Sequence, residues 1–576
     1  MPHPSQLHRD GWDVKRSHLH PSPNPNQSNT LPLTPATDIS YGISPHTSPT
    51  IQTTSRQNDI WGGRGVYLLI AALFTLTAVA PAQTPQKPTP TIPALFLSDI
   101  HLDPYADPAK VVKLNASPAS EWPAILTSAP SPTQQQDSSA LRAACPTRGL
   151  DTDTPLFQSA LKAIHTQAAH ARFATISGDL LAHSFDCKYK HLLPQASPAD
   201  YVAFTQKTIL YILTQLHLAL PQTTIYTALG NNDSGCTDYH LDATNDPFLA
   251  AVAPTITQAL QLPKSEQQAI LSDLASIGSY NAPLAAIPHT RVIVLDDLFL
   301  SREYATCAAK PDPNPAATQL SWLATQLASA RSHHEQVWVI GHIPPGVNLY
   351  ASARKLLSLC SGDAPKEFLA SNDLADLLAR NSDVIRLALF GHTHFDELRL
   401  LTSPLSTSTT TPDTPPLDLQ MSDPTPDHAR NQGVPLKLVS SITPINTNRP
   451  TFTLAKIDPT TATLLDYTVI EASNSTGIGT IWAPSYTYST AYHQPAFDAA
   501  SLSNLIAMFA ADPTAKTPPS QSYLQNFAPG SPVSALIQLI WPQYTCSLNH
   551  TTTAAFTNCA CTTHPTPPQT DKPAPN

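Results

Sequence analysis

Five apolar runs along the chain each end in polar residues of the types that bind metal ions. The runs and the residues that follow them are Leu95-Phe-Leu-Ser-Asp-Ile-His101, Phe173-Ala-Thr-Ile-Ser-Gly-Asp179, Ile225-Tyr-Thr-Ala-Leu-Gly-Asn231, Val337-Trp-Val-Ile-Gly-His342 and Leu387-Ala-Leu-Phe-Gly-His-Thr-His394. Short apolar runs bounded by turn residues are typical of buried strands. Ligands in open α/β sheets collect outside the carboxyl ends of the strands. The pattern therefore predicts that all five runs deliver their polar residues to one place.

The segments between these runs show helical periodicity, and more strands follow. Helix-start signatures occur at Thr154-Pro155 and Ser197-Pro198. Further helices are predicted in 246–277, 317–331 and 365–379, and further strands in 290–295, 397–401, 436–442, 451–457 and 462–469. This alternation predicts an α/β fold with layered α+β character.

Two segments do not follow the alternation of strands and helices. Residues 480–545 have helical and aromatic character. Residues 104–150 have the composition of a long loop, in which Tyr105 and Asp107 would lie beside the site. Binding residues are often carried on such loops, so the second segment is a candidate substrate-binding lip.

Polar, proline-rich stretches lie outside the predicted core. The chain has 59 prolines among 576 residues, and many stand beside Ser and Thr where no periodicity is present. Such composition is typical of extended or disordered chain. We therefore predict disorder in a leader (1–60), a loop (402–433) and a tail (563–576), and a linker at 83–92.

Residues 61–82 have the layout of a secretory signal peptide. Arg64 precedes an apolar run from Val66 to Ala80, and Ala80-Pro-Ala82 supplies a cleavage site of small residues. The run is shorter than the ~20 apolar residues that span a bilayer. The leader leaves two interpretations open, a true start near residue 60 or a membrane anchor at 66–80 behind a cytoplasmic tail. We favour the first, which predicts a secreted or periplasmic protein.

The cysteine content and the net charge further restrict the class of protein and its partners. Eight cysteines without C-x-x-C spacing predict disulfides of an exported protein, although the pairing cannot be read from the sequence. The net charge of −10 carries no basic stripe, which argues against nucleic acid as the partner.

The polar residues at the five strand ends form a candidate metal site. Asp, Asn and His without Cys suit hard or borderline ions, and seven groups are too many for one ion. We predict two divalent ions, zinc in preference to manganese or iron. A single Gly-His or Gly-Asp pair usually marks only a strand-to-turn junction, but folding alone does not require five such endings in this order. The candidate ligands are Asp99, His101, Asp179, Asn231, His342, His392 and His394.

The same residues resemble a known family. Asp99-x-His101, Gly178-Asp179, Gly230-Asn231, Gly341-His342 and Gly391-His-Thr-His394 are similar to the five motifs of the calcineurin-like metallophosphoesterases. Gly178-Asp-Leu-Leu-Ala-His183, Gly341-His-Ile-Pro-Pro-Gly346 and Ser441-Ile-Thr-Pro444 resemble the acid sphingomyelinase branch. The resemblance covers residues 93–470 and, more faintly, a helical, disulfide-bonded segment at 471–562. It implies a β-sandwich flanked by helices, with a small C-terminal helical segment.

The resemblance also implies roles for single residues. One ion would be held by Asp99, His101, Asp179 and His394, and the other by Asp179, Asn231, His342 and His392. His183 matches the residue that donates a proton to the leaving oxygen. Asn232 stands where a phosphate-contacting His is common, and some relatives, including polyphosphate-cleaving ones, share Gly230-Asn-Asn-Asp233.

These observations predict an exported, two-metal phosphodiesterase in which a metal-activated water attacks the phosphodiester. One alternative is a phosphomonoesterase or a polyphosphate or nucleotide hydrolase on the same site, because the surrounding loops select the substrate. Another is a secreted binding protein with a relict site, which the intact ligand set argues against. The substrate would be a phosphoester, with a lipid surface as one source, and the oligomeric state stays open.

Overall fold

The computed structural model describes residues 90–349, 360, 365–402 and 433–562. The predicted leader, signal peptide and C-terminal tail lie outside these residues, as do residues 83–89 of the predicted linker and nearly all of the loop at 402–433. The twelve strands of the described part, in chain order, are β1 (Ile92–Leu97), β2 (Phe173–Ser177), β3 (Thr224–Ala228), β4 (Tyr280–Pro283), β5 (Thr290–Val294), β6 (Gln336–Ile340), β7 (Ile385–Phe390), β8 (Glu397–Leu401), β9 (Val434–Leu438), β10 (Thr451–Ile457), β11 (Leu464–Ala472) and β12 (Trp482–Thr487).

These strands form two mixed, six-stranded sheets. The first sheet has the order β12-β11-β10-β1-β2-β3, and the second has the order β4-β5-β6-β7-β9-β8. Strands β1, β2 and β3 run parallel, as do β5, β6, β7 and β9. The long connections that parallel strands need are supplied here largely by helices. The predicted α/β fold with layered sheets and flanking helices is therefore confirmed.

Aromatic side chains fill the space between the two sheets. The Trp338 ring of β6 meets the edges of Phe96 on β1 and Phe173 on β2 at centroid distances of 5.9 and 5.5 Å. All three side chains are fully buried. Its indole N–H donates to the Ala462 carbonyl over 2.9 Å, so the polar edge of the ring is also satisfied. This contact holds the two sheets face to face and brings their carboxyl ends together.

The helices agree with the periodicity in most places. Those of the described residues are Val111–Ala116, Trp122–Leu126, Gln134–Ala144, Thr154–Gln167, Phe185–Leu192, Pro198–Ala219, Pro247–Ala259, Lys264–Ile277, Asn314–Ser332, Asp373–Arg380, Tyr488–Tyr492, Ala499–Ala510, Pro518–Phe527, Val533–Leu539, Trp541–Ser547 and Thr553–Thr562. The helix predicted at 365–379 begins only at Asp373. Strand β12 lies inside the segment for which helical character was expected.

The segment 104–150 contains three helices where loop composition was predicted. Tyr105 is buried, and its ring packs against Phe185 and Phe204 at 4.8 and 5.6 Å. The Asp107 carboxylate accepts hydrogen bonds from the backbone and side chain of Ser131. Both residues therefore serve the packing of the segment, and its role as a substrate-binding lip stays a prediction.

The C-terminal helices pack beside strand β8 and share its core. Tyr523, Phe527, Trp541 and Tyr544 form a buried aromatic cluster with ring-centroid distances of 5.7 to 6.0 Å. The ring of Phe395, one residue after His394, packs against that of Phe527 with a centroid distance of 5.1 Å. The C-terminal segment thus supports the turn that carries two candidate ligands.

All eight cysteines are paired, which confirms the expectation of disulfides. The bonds are Cys145–Cys187, Cys236–Cys307, Cys360–Cys561 and Cys546–Cys559. Such a set fits an exported protein, because disulfides persist in oxidising compartments. Within the described ranges, no helix combines the length and apolarity needed to cross a bilayer.

Candidate metal centre

The carboxyl ends of β1, β2, β3, β6 and β7 meet at one edge of the sandwich. The backbone N–H of Asp99 donates to the Gly178 carbonyl, and that of His392 donates to the Asp99 carboxylate over 3.1 and 3.2 Å. These bonds tie the turns after β1, β2 and β7 together. A Cβ on Gly391 would clash with the Ser98 side chain and approach Asp99 Oδ2 to 2.7 Å. Glycine is required at position 391 because the two sheets come that close there.

Strained turns aim the candidate ligands inward. Five of them, all non-glycine residues, have φ between +44° and +70°. Such angles are uncommon outside glycine and are concentrated at functional sites. These five residues are Asp99, His101, Asp179, His392 and His394.

The first group of ligand atoms lies between β1, β2 and β7. One ligand atom from each of Asp99, His101, Asp179 and His394 lies within 4.8 Å of the others. His394 Nε2 is 3.2 Å from Asp99 Oδ1, and His101 Nε2 is 3.3 Å from Asp179 Oδ2. The structure thus brings together the four residues that the sequence resemblance assigns to one ion.

A second group forms around Asn231 on the other side of Asp179. Asn231 Oδ1 lies 3.0 Å from His342 Nε2 and 2.9 Å from His392 Nδ1. Asp179 Oδ2 lies 3.2 Å from His342 Nε2. The four residues that the resemblance assigns to the other ion are therefore also neighbours, and Asp179 Oδ2 contacts an imidazole from each group.

The donor atoms fit divalent cations. His101 is fully buried, and its Nε2 makes no hydrogen bond to any described residue, while its Nδ1 is paired with the Leu181 carbonyl over 2.7 Å. His342 Nδ1 is paired in the same way with the Ser177 carbonyl, which leaves Nε2 directed at Asp179 and Asn231. A carbonyl partner on one ring nitrogen orients the other toward a metal. Imidazole and carboxylate ligands suit zinc, manganese and iron.

The electrostatics of the centre favour added positive charge. Desolvation opposes protonation of His342, yet the Asp179 carboxylate prevails and raises the pKa of His342 to about 10. In return, His342 and His101 outweigh desolvation and hold the pKa of Asp179 well below its ordinary value. Two buried carboxylates, Asp99 and Asp179, thus keep their negative charge and attract cations. Bound metal ions would supply that charge.

His183 lies beside the first group, as its position in the sequence predicts. Its ring stacks on His101 with a centroid distance of 4.1 Å and keeps 28 % of its side chain exposed. Its backbone N–H and its Nδ1 both pair with the Asp151 carboxylate, at 2.9 and 2.8 Å. Desolvation and the charge of His101 lower the pKa of His183 to about 4, although Asp151 opposes that shift. The ring is therefore fixed in direction with its Nε2 free to face a ligand.

Asp151 was not recognised from the sequence. It lies 32 residues before His183 in a polar segment, with no periodic pattern or motif to mark it. Lys188 Nζ lies 3.6 Å from its second oxygen and 2.9 Å from Asp103, and both Asp151 and Lys188 are buried. Only the packing of the loop before residue 154 brings this carboxylate to the site.

Asn232 contacts the carboxylate that the two groups share. Its backbone N–H donates to Asp179 Oδ1 and its side-chain amide donates to Asp179 Oδ2, each over 2.9 Å. The side chain is buried. In this arrangement Asn232 orients Asp179, which is a role that the sequence alone did not indicate.

Two further buried carboxylates support the turns of the site. Asp233 accepts the backbone N–H groups of Leu180, Leu181 and Gly230. Asp297 accepts those of His342 and Ile343 over 2.8 and 3.0 Å and is fully buried. The turn after β5 therefore packs under the turn after β6.

Comparisons with known proteins agree with this centre. No protein-family model matches the chain. The cyclic GMP-AMP phosphodiesterase SMPDL3A of Rattus norvegicus is 30 % identical to this chain, over 31 % of this chain and 36 % of its own length. The Homo sapiens protein of the same name is 25 % identical, over 62 % of this chain and 69 % of its own length. The sphingomyelinase phosphodiesterase C of Dictyostelium discoideum is 34 % identical over 19 % of this chain and 22 % of its own length.

A solved dimetal phosphatase from Danio rerio aligns with 69 % of this chain and 100 % of its own, at 10 % identity and a TM-score of 0.33, which is too low for conclusions about function. The sequence relatives are more informative, although the alignments span only 36 % of the rat protein and 61 % of its mouse counterpart. Their names belong to the branch that the strand-end motifs resemble. The chain is a homologue of the acid sphingomyelinase-like phosphodiesterases.

Proposed function

We propose that the chain is an exported phosphodiesterase that uses two divalent metal ions. The observation that carries the proposal is the position of Asp179, whose Oδ2 lies 3.3 Å from His101 Nε2 and 3.2 Å from His342 Nε2. One carboxylate lies between a group with imidazoles and a second carboxylate and a group with imidazoles and an amide oxygen. A bridged pair of ions needs such an arrangement. Paired ions of this kind are typical of phosphoryl displacement.

Seven residues would hold the ions. Asp99, His101, Asp179 and His394 would bind the first, and Asp179, Asn231, His342 and His392 the second. When bound, two such ions activate a water molecule and neutralise the oxygens of a phosphate group. We propose zinc as the ion, with manganese and iron as alternatives, because the ligands are imidazole, carboxylate and amide oxygen.

His183 would donate the proton to the leaving oxygen. Asp151 binds its Nδ1, so the opposite ring nitrogen, Nε2, is the one available to a substrate. The partly exposed ring borders the buried ligand group. The pKa of the free ring is lowered to about 4, so a bound anionic phosphodiester would have to raise the pKa for Nε2 to carry the proton. Asn232 would orient Asp179, since both of its N–H donors bind that carboxylate.

The names of the relatives support a phosphodiester substrate. One relative is named as a cyclic GMP-AMP phosphodiesterase, and another is named as a sphingomyelinase phosphodiesterase. A nucleotide and a lipid headgroup share the phosphodiester group and differ in what surrounds it. The first alternative, a phosphomonoesterase or a polyphosphate or nucleotide hydrolase, would use the same residues. The second, a binding protein with a relict site, would catalyse no reaction with them. A substrate panel distinguishes these outcomes.

The test combines metal analysis with activity. Purified protein should contain two divalent ions per chain and should hydrolyse bis(4-nitrophenyl) phosphate, sphingomyelin or cyclic GMP-AMP faster than 4-nitrophenyl phosphate or polyphosphate. Chelation should abolish turnover and added zinc or manganese should restore it, while a His342→Ala variant should not recover. Faster turnover of the monoester would favour the phosphomonoesterase, and protein without metal would favour the relict site.

We also propose that the protein is secreted or periplasmic after cleavage behind Ala82. The signal-like residues 61–82 motivate this, and the four disulfides fit export. Amino-terminal sequencing of the mature protein should begin at Gln83. A membrane-bound protein that keeps residues 66–80 would support the anchor instead, and a full-length cytoplasmic protein would contradict export.

A further inference from the structure

A short segment after β3 touches two ligands of the second ion from outside. Its residues, 236–241, form a supporting segment joined to the next part of the chain by the disulfide Cys236–Cys307. The backbone N–H of Ala305 donates to the Tyr239 carbonyl, and the backbone N–H of Leu241 donates to the Ala305 carbonyl, each over 3.1 Å. A disulfide and a ladder of backbone bonds hold the segment in one position against the site.

Asp238 in this segment binds the amide of Asn231. The Asn231 Nδ2 donates to Asp238 Oδ1 over 2.7 Å, while the Asn231 Oδ1 faces His342 Nε2 and His392 Nδ1. A carboxylate only accepts hydrogen bonds. A side-chain amide has an acceptor oxygen on one side and an NH₂ group with two donors on the other. Turning the amide over would set its oxygen against the Asp238 carboxylate and its NH₂ toward the metal position. Asp238 therefore keeps the ligand oxygen of Asn231 directed inward.

Tyr239 in the same segment binds the other side of His392. Its hydroxyl lies 3.4 Å from His392 Nε2, the ring nitrogen opposite the one that faces Asn231. Its backbone N–H also donates to the Asn231 carbonyl over 3.0 Å. One segment thus orients both an amide and an imidazole of the second group, and none of these contacts reaches His101 or His394.

We infer that Asp238 and Tyr239 are positioning residues for the second ion, and that the supporting segment determines the affinity of that ion separately from the first. This inference rests on the proposed two-metal function. Outer partners of metal ligands typically contribute ~10- to 100-fold in metal affinity. The two sites should therefore respond differently to changes in this segment.

The experiment follows release of zinc from the full-length protein to a chromophoric chelator. His101→Ala and His392→Ala first identify which release phase belongs to which ion. Asp238→Ala should weaken the second ion ~10- to 100-fold and leave the first unchanged. Tyr239→Phe should act in the same direction by a smaller factor. Asp238→Asn should be intermediate, since it keeps an acceptor oxygen but no longer excludes the turned amide.

Glu266→Ala is the matched control, because Glu266 is acidic and exposed in the first turn of the helix Lys264–Ile277, outside the segment and its anchors. It should keep both ions, and thermal melting of all variants should show that the exposed position of Asp238 tolerates change. Wild-type protein that binds fewer than two ions would contradict the proposed function itself. Wild-type protein with two ions, together with an Asp238→Ala variant that keeps both or weakens both equally, would overturn the inference.

Discussion

The side chain of Asp179 is held by four separate contacts. Its Oδ1 accepts the Asn232 N–H, and its Oδ2 accepts the Asn232 amide while facing His101 and His342. The residue is 1 % exposed, so water does not screen its charge. A neutral side chain of the same shape at this position would change the charge seen by both ligand groups.

Asp179→Asn should therefore remove both ions together. The amide carries no charge and turns one of two acceptor oxygens into a donor, which faces imidazole nitrogens. Metal content per chain, measured by mass spectrometry of the purified protein, should fall from two toward zero. His101→Ala should affect one ion more than the other. Asp151→Asn is the control and should keep both ions, because the Asp151 carboxylate pairs with His183 and not with a proposed ligand. An Asp179→Asn protein with two ions and full turnover would exclude a shared carboxylate.

The pairing of His183 with Asp151 resembles an acid held in place by a carboxylate. The Nδ1 contact with Asp151, at 2.8 Å, defines the ring's orientation. The backbone N–H of His183 and the Thr443 hydroxyl donate to the same carboxylate over 2.9 and 3.3 Å. A general acid contributes most when the leaving group is poor.

His183→Ala should cut turnover of an alkyl phosphodiester by ~10²- to 10⁴-fold. An activated nitrophenyl ester should lose much less, because its leaving group departs readily as an anion. Asp151→Ala should show the same dependence on leaving group, and the double variant should be no worse than His183→Ala. Steady-state rates on both substrates are the measurement. Equal losses on both substrates would mean that His183 maintains site geometry instead of donating a proton.

At the scale of elements, the site depends on how strands and helices begin and end. The helix Pro198–Ala219 precedes β3 and begins at a capping box, in which the Asp200 N–H donates to Ser197 Oγ and the Ser197 N–H donates to Asp200 Oδ2. Its inner face buries Phe204, Ile209 and Ile212. A well-defined helix start determines the register in which that apolar face meets the core.

Ser197→Ala should lower the free energy of unfolding by about 1 kcal/mol, because one N–H of the first turn loses its acceptor. Chemical denaturation of the purified protein measures this change. Ser321→Ala, at an exposed position inside the helix Asn314–Ser332, serves as the control and should not destabilise. A denaturation curve unchanged by Ser197→Ala would show that tertiary packing alone sets the start of this helix.

At the scale of the whole molecule, the disulfides connect parts that are distant in sequence. Cys360–Cys561 joins residues 201 positions apart and links the C-terminal helices to the chain between β6 and β7. Cys145–Cys187 ties the segment before Asp151 to the helix Phe185–Leu192 after His183. Both bonds lie in regions that flank the metal centre.

Peptide mapping without reduction should recover four linked pairs, Cys145–Cys187, Cys236–Cys307, Cys360–Cys561 and Cys546–Cys559. Eight cysteines allow on the order of 100 pairings, so agreement in all four would test the arrangement of the C-terminal segment strictly. The same digest after reduction is the control. A bond between Cys559 or Cys546 and Cys360 would contradict the position of the last helix.

The sequence alone was sufficient for the five strands that lead to the site and for naming the seven candidate ligands that the structure brings together, because these features are local. The residues of an apolar run of five or six positions predict a buried strand, and the Gly and ligand-type residue that follow predict where the strand ends. Parallel strands bring such ends together without further information. The strands β1, β2, β3, β6 and β7 and the turns that follow them were accordingly predicted correctly.

Only the tertiary structure decided which other residues support those ligands. Asp151, Asp238 and Asp297 lie in turns without periodicity, and their hydrogen-bond partners His183, Asn231 and His342 are 32, 7 and 45 residues away in the sequence. The helices in 104–150, the burial of Asp297 and the pairing of the cysteines depend on the same long-range contacts. Local patterns contain no record of these contacts, since loop conformation follows from what the loop packs against.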